Sequence, residues 1–421
     1  MILFKKLQIN SFEEFLKKIF IANIFLMAID LLLYVFFDEP INSYYLNIDR
    51  FADFLKAADS LHIVKMWEGF NFYDYNLVNK NIHHVVPPST IFLWALSSYI
   101  VKLGISKYIV YFSLFILPFI ILYIIRDKFI NNSKKLYLLF FTYPILISIQ
   151  RGNVATLVFF FLILSIIYSN KSKILSILYF IVSVSFKVTP FIFVIQYFKK
   201  SKIKFIKTVL IVIISLLVYN LIIINIDTKI VDTNIYNSLH FFTYLKSYNE
   251  AAIENLAGLR YGSSIYMPII TIIKVINDNI FQSFIKLNPY LFNLFLISLI
   301  LILSLIKNKL SFINNLFLNI DTRLEFTCIS FILFMPVTAD YYLLLLFIPL
   351  LLIPFHNFTN LKKICYLLLL LPKEIINTNI FFGKDLPIGA FINPMLLILI
   401  LFDILQIFNF SKAKIINNKN E

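Results

Sequence analysis

Three carboxylates crowd the stretch INSYYLNIDRFADFLKAADSLH, residues 41–62, just after an apolar run suited to lipid. Asp49, Arg50, Asp53, Lys56 and Asp59 fall within it. Over 48–60 the pattern is helical: Phe51, Phe54, Leu55 and Ala58 make one face, and Asp49, Asp53 and Lys56 another. Carboxylates four residues apart on a helix are neighbours. Held close, such a pair raises one of its pKa values, which suits proton transfer. The plainer reading is an amphipathic helix on a bilayer surface with Asp49 as its N-cap.

Other polar groups interrupt the apolar sequence at five places. HHVVPPST, 83–90, offers His83 and His84 as acid–base groups, or as part of an interfacial turn. Pro87–Pro88 suit the first turn of a helix but not its interior. SIQRGNVATL, 148–157, places Gln150, Arg151 and Asn153 between two apolar runs. Such groups are costly at bilayer depth unless they face protein or a water-filled cavity. SFKVTP, 185–190, puts Lys187 inside an apolar stretch, three residues before Pro190. A lysine there is either a snorkelling cation or a compact charge suited to a phosphate. FMPVTADYYLLLLFIPLLL, 334–352, sets Asp340 and Tyr341 at the junction of two runs, as a substrate-facing pair or as an aromatic belt with a capping Asp. Between 227 and 263 a polar segment carries Tyr248, Asn249, Glu250 and Arg260.

The elements that must position these groups are membrane helices. The chain is 421 residues long, 60% hydrophobic and only 14% charged. Soluble domains are nearer half apolar and a quarter charged. Apolar runs fall near 19–37, 89–104, 108–125, 136–149, 153–169, 174–198, 207–226, 287–307, 324–338, 341–358, 364–372 and 389–409. A helix crossing a hydrocarbon core of about 30 Å needs about 20 mostly apolar residues. The expectation is an all-α, polytopic membrane protein of about twelve helices, forming one integral membrane domain over 1–421. It divides into an N-terminal module at 19–226, an external loop at 227–286 and C-terminal helices at 287–421. The run 19–37 is too long for a signal-peptide core and is expected to be the first span. Cys328 and Cys365 lie in apolar runs and read as buried thiols.

The net charge is +15, from 38 basic and 23 acidic residues. The lysines cluster between apolar runs, which fits the positive-inside rule and not a nucleic-acid partner. Lys5, Lys6, Lys17 and Lys18 place the N-terminus in the cytoplasm; KKSKIKFIK, KNK, Lys362–Lys363 and the C-terminal tail follow. Residues 38–88, 227–286, 335–340 and 373–388 then lie outside, and 263–276 does not cross. One segment conflicts: two crossings at 89–104 and 108–125 put RDKFINNSKK, 126–135, outside despite its charge. Either one of those runs is half-spanning, with Lys187 marking another break in 174–198, or the charge rule fails there.

An early Asp in a long first outer loop, followed by PP opening the second helix, resembles the GT-C glycosyltransferase layout. RGNVATLVFFFLIL resembles the GN-hydrophobic motif of glycosyltransferase family 87, and SFKVTPFIFVIQYFKK its K-x-x-P segment. YGSSIY and PVTADYYLLLLFIPL resemble the family's later blocks. The ordered set covers roughly 45–350. Two departures stand out: extra residues between Ala58 and Gly69, and Tyr342 in place of a basic residue.

The resemblance implies an inner-membrane enzyme with its site on the external face. It would transfer a sugar, often mannose in that family, from a polyprenyl-phosphate donor to a lipid or glycan acceptor. No separate cofactor or metal is implied. The family's first-loop Asp acts as general base; Asp49 matches it best, with Asp53 the competitor. Lys187, with Arg151, Asn153, Arg260, Asp340, Tyr341 and His84, would bind the donor phosphate and substrates. A transporter or lipid flippase, with helices broken at mid-membrane, is the reading from another class. A surface-polysaccharide polymerase or ligase is the rival among enzymes.

Overall fold

A computed structural model of the chain describes residues 9–37, 103–187, 189–197, 202–225, 263–276, 319–335, 340–372, 377–378, 386–387 and 389–405, with scattered positions from 90 to 101. The described residues are helical, apart from a two-residue antiparallel pair, β1 (Asn377–Thr378) with β2 (Leu386–Pro387). The chain divides into two compact units. One comprises 1–46, 129–144 and 256–421; the other comprises 47–128 and 145–255.

In the first unit, α1 (Phe12–Phe37) opens on a reciprocal cap. Ser11 Oγ accepts from the Glu14 amide at 3.2 Å, and the Glu14 carboxylate accepts from the Asn10 amide at 2.9 Å. Such pairs satisfy donors that have no partner within a helix. A 3₁₀ segment, Lys134–Phe141, lies against α1. Lys135 Nζ donates to Glu13 at 2.6 Å, and Ser133 Oγ donates to the same carboxylate at 3.2 Å. The charged stretch 126–135 therefore ends beside the start of α1.

Those hydrogen bonds hold the Glu13 carboxyl below its ordinary 4.5 and Lys135 above its ordinary 10.5. A depressed acid contributes stability above its unfolded value and loses it as pH falls through the folded one. A raised base contributes below its unfolded value and loses it as pH rises through the folded one. The stability difference between the native chain and Glu13→Gln is expected to be constant from pH 4.5 to 10.5. It should shrink on either side, as read by thermal unfolding across pH.

The same end of this unit is closed by three more interactions. Asn131 donates to the carbonyls of Leu350 and Ile353 and accepts from the Phe355 amide, satisfying the C-terminus of α9 (Phe347–Leu352). Phe355 packs on Phe12 and Phe15. Lys363, near the start of α10 (Asn360–Leu369), donates to the Ile9 carbonyl at 3.0 Å and lies over the Phe355 ring. A buried polar group then joins three helices: α8 (Ile320–Phe334), α10 and α11 (Gly389–Ile404). Lys362 Nζ lies 2.8 Å from Glu325 and 3.5 Å from Asp403. Tyr366 donates to Glu325 at 3.1 Å, and the capping Thr359 to Asp403 at 3.1 Å. Cys328 and Cys365 are buried, free thiols in α8 and α10, as expected from their apolar runs.

The second unit contains α2 (Lys107–Ile124), α4 (Ala155–Tyr168), α5 (Lys173–Phe186) and α6 (Lys202–Asn225). A π-turn at Phe112–Ile116 interrupts α2 just before Pro118. Proline lacks the N–H that would close the preceding turn and crowds its carbonyl, so the local turn widens. Among the described residues α2 alone is long and apolar enough to cross a membrane. Shorter apolar helices cover 155–168, 173–186, 206–219, 342–352 and 389–404.

The apolar run 174–198 is broken near Lys187, as expected from the lysine and Pro190. It is α5 followed by a 3₁₀ segment, Thr189–Tyr197, that turns back along α5. Tyr197 bonds Ser165 and Ser176 at 2.6 and 2.8 Å, near the start of α5, and its ring meets Phe180. Phe193 between them is buried. The chain reverses at Lys187–Pro190, because proline cannot continue the hydrogen bonding of α5.

Candidate functional site

Helices α4 and α5 form an antiparallel hairpin whose register follows from two hydrogen bonds. Ser176 Oγ donates to the Ser165 carbonyl at 2.7 Å, and Ser183 Oγ to the Val158 carbonyl at 2.9 Å. Serines at such contacts let helices approach closely and bond across the seam. The same register carried one turn further sets Val154 opposite Lys187. The sequence motifs RGNVATL and SFKVTP thus share one end of the hairpin.

Gly152 makes the tight entry into α4, with φ of 62°. That left-handed conformation is strained for residues with a Cβ. It lets the Asn153 amide donate to the Ser148 carbonyl at 3.2 Å, while Asn153 Oδ1 accepts from the Ala155 amide at 2.9 Å. Ser148 and Thr156 hydroxyls close the turn at 2.6 Å. Asn153 is buried and caps α4 with its own side chain. Its side chain is committed to folding the turn, a structural role beyond the binding role expected of it. Arg151 is the last residue of α3 (Tyr143–Arg151), and its backbone leads directly into this turn.

Lys187 is the C-cap of α5, in extended conformation, with its amide directed at the Ser183 carbonyl at 3.4 Å. Its side chain is half-buried. A cation at a helix C-terminus is favourable by itself. Two neighbours give it more than that role. The buried hydroxyl of Thr189 has no hydrogen-bond partner among the described residues. Thr90, from the PPST segment, is fully buried and donates to the Phe186 carbonyl at 2.8 Å. Val154, Leu157, Val158 and Phe186 pack as one cluster, with Leu93 and Leu114 against it. Three segments singled out in sequence therefore meet: the helix after Pro87–Pro88, the RGN turn and the K-x-x-P reversal.

In the other unit, Ser264 of the YGSS segment approaches the end of α8. The Ser264 hydroxyl and the Ile265 amide both donate to the Leu333 carbonyl, at 3.2 and 2.9 Å. Asn393 of α11 donates to Ser263 at 3.0 Å. Tyr266, at the start of α7 (Tyr266–Ile276), is buried, and burial pushes its phenol up to about 12. Asp340 and Tyr341 begin a 3₁₀ segment, Asp340–Leu346, that leads into α9; their side chains lie outside the described residues, as does that of Arg151. Tyr342 packs on Phe331 of α8. Asp49, Asp53, His84 and Arg260 lie wholly outside the described residues.

Sequence reading missed Thr90 and Thr189. Both lie in quoted motifs, and the signal that marks them is adjacency to prolines: each hydroxyl sits where a helix starts or breaks and backbone groups lose partners. Glu325 and Asp403 were also missed, because neither has its partner nearby in sequence. No family model, curated protein or solved structure matches the chain.

Proposed function

We propose that the protein is a polytopic glycosyltransferase of the inner membrane, transferring a sugar from a polyprenyl-phosphate donor to a lipid or glycan acceptor at the external face. The observation that carries this reading is the meeting of Thr90, the RGN turn and Lys187 at one end of the α4–α5 hairpin. A cation, a buried hydroxyl without a hydrogen-bond partner among the described residues and the N-terminus of a 14-residue helix lie at that end. A helix N-terminus favours anions through its dipole. The combination suits a phosphate.

Surface chemistry supports the membrane. Along α1, Ile21, Phe25, Leu31, Leu32, Val35 and Phe36 are exposed, and along α6 Ile206, Leu210, Ile214 and Leu217. Apolar surface of that extent marks contact with lipid or another protein. Charge orients each unit. In the second, Lys171 and Lys173 lie at the Tyr197 end of the hairpin, which becomes cytoplasmic, and the basic stretch from Lys199 follows Tyr197 in sequence. Lys187 and Asn153 are then external. In the first, Lys18, Lys135, Lys362 and Lys363 gather around the start of α1, so the Ser263–Leu333–Asn393 end is external. The stretch 129–135 then lies on the same side as the N-terminus.

In the proposed reaction the acceptor hydroxyl gives its proton to Asp49 while its oxygen bonds to the anomeric carbon. The bond from that carbon to the phosphate oxygen breaks, and the phosphate leaves with the electron pair. Lys187 and Thr189 stabilise its charge. Attack opposite to departure inverts the anomeric centre. A polyprenyl phosphate departs as a stable anion, so preorganised donors aimed at it supply much of the catalysis.

The test is transfer by the purified full chain from radiolabelled polyprenyl-phosphate sugars to membrane lipids. Transfer should appear with at least one donor, and Lys187→Met should lower turnover by about 10²-fold. Absence of transfer from every such donor would sink the reading. The helix break at Lys187–Pro190 also occurs in transporters. Movement of lipid or solute across vesicles without transfer would establish that alternative.

A further inference from the structure

We infer that Thr90 is a positioning residue for Lys187, acting by replacing the backbone donor that Pro190 lacks. In a continuous helix the amide of residue 190 would bond to the carbonyl of residue 186. Pro190 has no amide hydrogen, so the Phe186 carbonyl loses that partner. A buried carbonyl without a donor is costly. The Thr90 hydroxyl, ninety-six positions earlier in sequence, donates to that same carbonyl at 2.8 Å. Thr90 is fully buried, so water does not substitute for it from the surface.

The consequence falls on the next residue. Lys187 leaves the helix in extended conformation, with φ of −148° and ψ of 131°. Its peptide group is the one whose oxygen Thr90 holds. Fixing that oxygen fixes the peptide plane and therefore the direction in which the Lys187 chain departs. Removing the hydroxyl frees the plane to rotate toward another donor and moves the ammonium group. The Leu93 contact with Phe186 and Val154 places the Thr90 helix beside the reversal but supplies no hydrogen bond. The Lys187 amide, in the same peptide group, is held at 3.4 Å from the Ser183 carbonyl, so the Thr90 bond at 2.8 Å is the shorter of these two constraints on the plane.

This inference rests on the proposed activity only for its kinetic readout, and a spectroscopic readout tests it separately. The full chain in detergent carries ¹³C-methyl groups on its lysines, and Lys187→Arg identifies the Lys187 signal by difference. Thr90→Val, which keeps the shape and loses the hydroxyl, should shift that signal; Thr90→Ser should return it to the native position. Thr90→Ala serves if the valine variant fails to fold. In transfer assays Thr90→Val should lower kcat about tenfold with little change in KM, and Thr90→Ser should restore it. In the Lys187→Met background the same substitution should change turnover little, because the two act as one unit. A general loss of stability would lower both backgrounds alike and would overturn the inference. So would an unmoved Lys187 signal in Thr90→Val, or a serine variant that behaves like valine. A shifted and serine-restored signal in a chain that transfers no sugar would uphold the positioning role while removing the proposed activity.

Discussion

Glu325→Ala is expected to destabilise the protein by about 3–5 kcal/mol, which is the range for removing one partner of a buried ion pair. Glu325 and Lys362 have side-chain exposures of only 5% and 11%, and they meet at 2.8 Å. Without the glutamate, Lys362 retains Asp403 at the longer distance of 3.5 Å. Tyr366 loses its acceptor as well. Glu325→Gln keeps an acceptor for Tyr366 and should cost less than alanine. The double variant Glu325→Met with Lys362→Met should be more stable than Lys362→Met alone, which strands Glu325 as well as Asp403. Thermal unfolding of the full chain in detergent checks all four. Equal midpoints for Glu325→Ala and the native chain would mean that the cluster contributes nothing to holding α8, α10 and α11 together.

Asp49→Asn is expected to lower transfer by about 10²–10⁴-fold, the range associated with a positioned general base. Thermal unfolding should be nearly unchanged, because the residue is expected on an external loop helix and not in a packed core. Asp53→Asn should retain much of the activity. The reverse result would assign the base to Asp53 and move the helix register by one turn. Loss of activity in neither variant would place the base elsewhere. The asparagine variant keeps a hydrogen-bonding side chain of nearly the same size, so a loss reports on proton acceptance and not on shape. The pair also separates two readings of the loop. An amphipathic helix that only lies on the bilayer would tolerate both changes.

Much of the helical framework was legible from local chemistry. The reciprocal cap at Ser11 and Glu14, the turn at Gly152 and the reversal before Pro190 all follow from groups within a few residues of one another. Prolines and glycines act on their own backbone, so their effects need no distant partner. The buried cysteines and the apolar character of the helices were legible for a similar reason: burial of long apolar runs is dictated by composition. The candidate site was legible only in pieces. RGN and K-x-x-P each looked costly in lipid, but nothing local required them to meet.

Tertiary structure decided the pairings. Whether 174–198 runs on or doubles back depends on whether Tyr197 finds Ser165 and Ser176, which belong to the preceding helices. Whether 129–135 sits with the N-terminus depends on Glu13, far back in sequence. Glu325, Lys362 and Asp403 are far apart in sequence; one buried cluster makes them tolerable. By itself, the sequence determined where the helices form and where they break, because hydrogen bonding and proline geometry are local. Only the tertiary structure decided which broken end receives which hydroxyl or charge. A buried polar group must find a partner, and the sequence does not say which of several distant candidates packing will bring within reach.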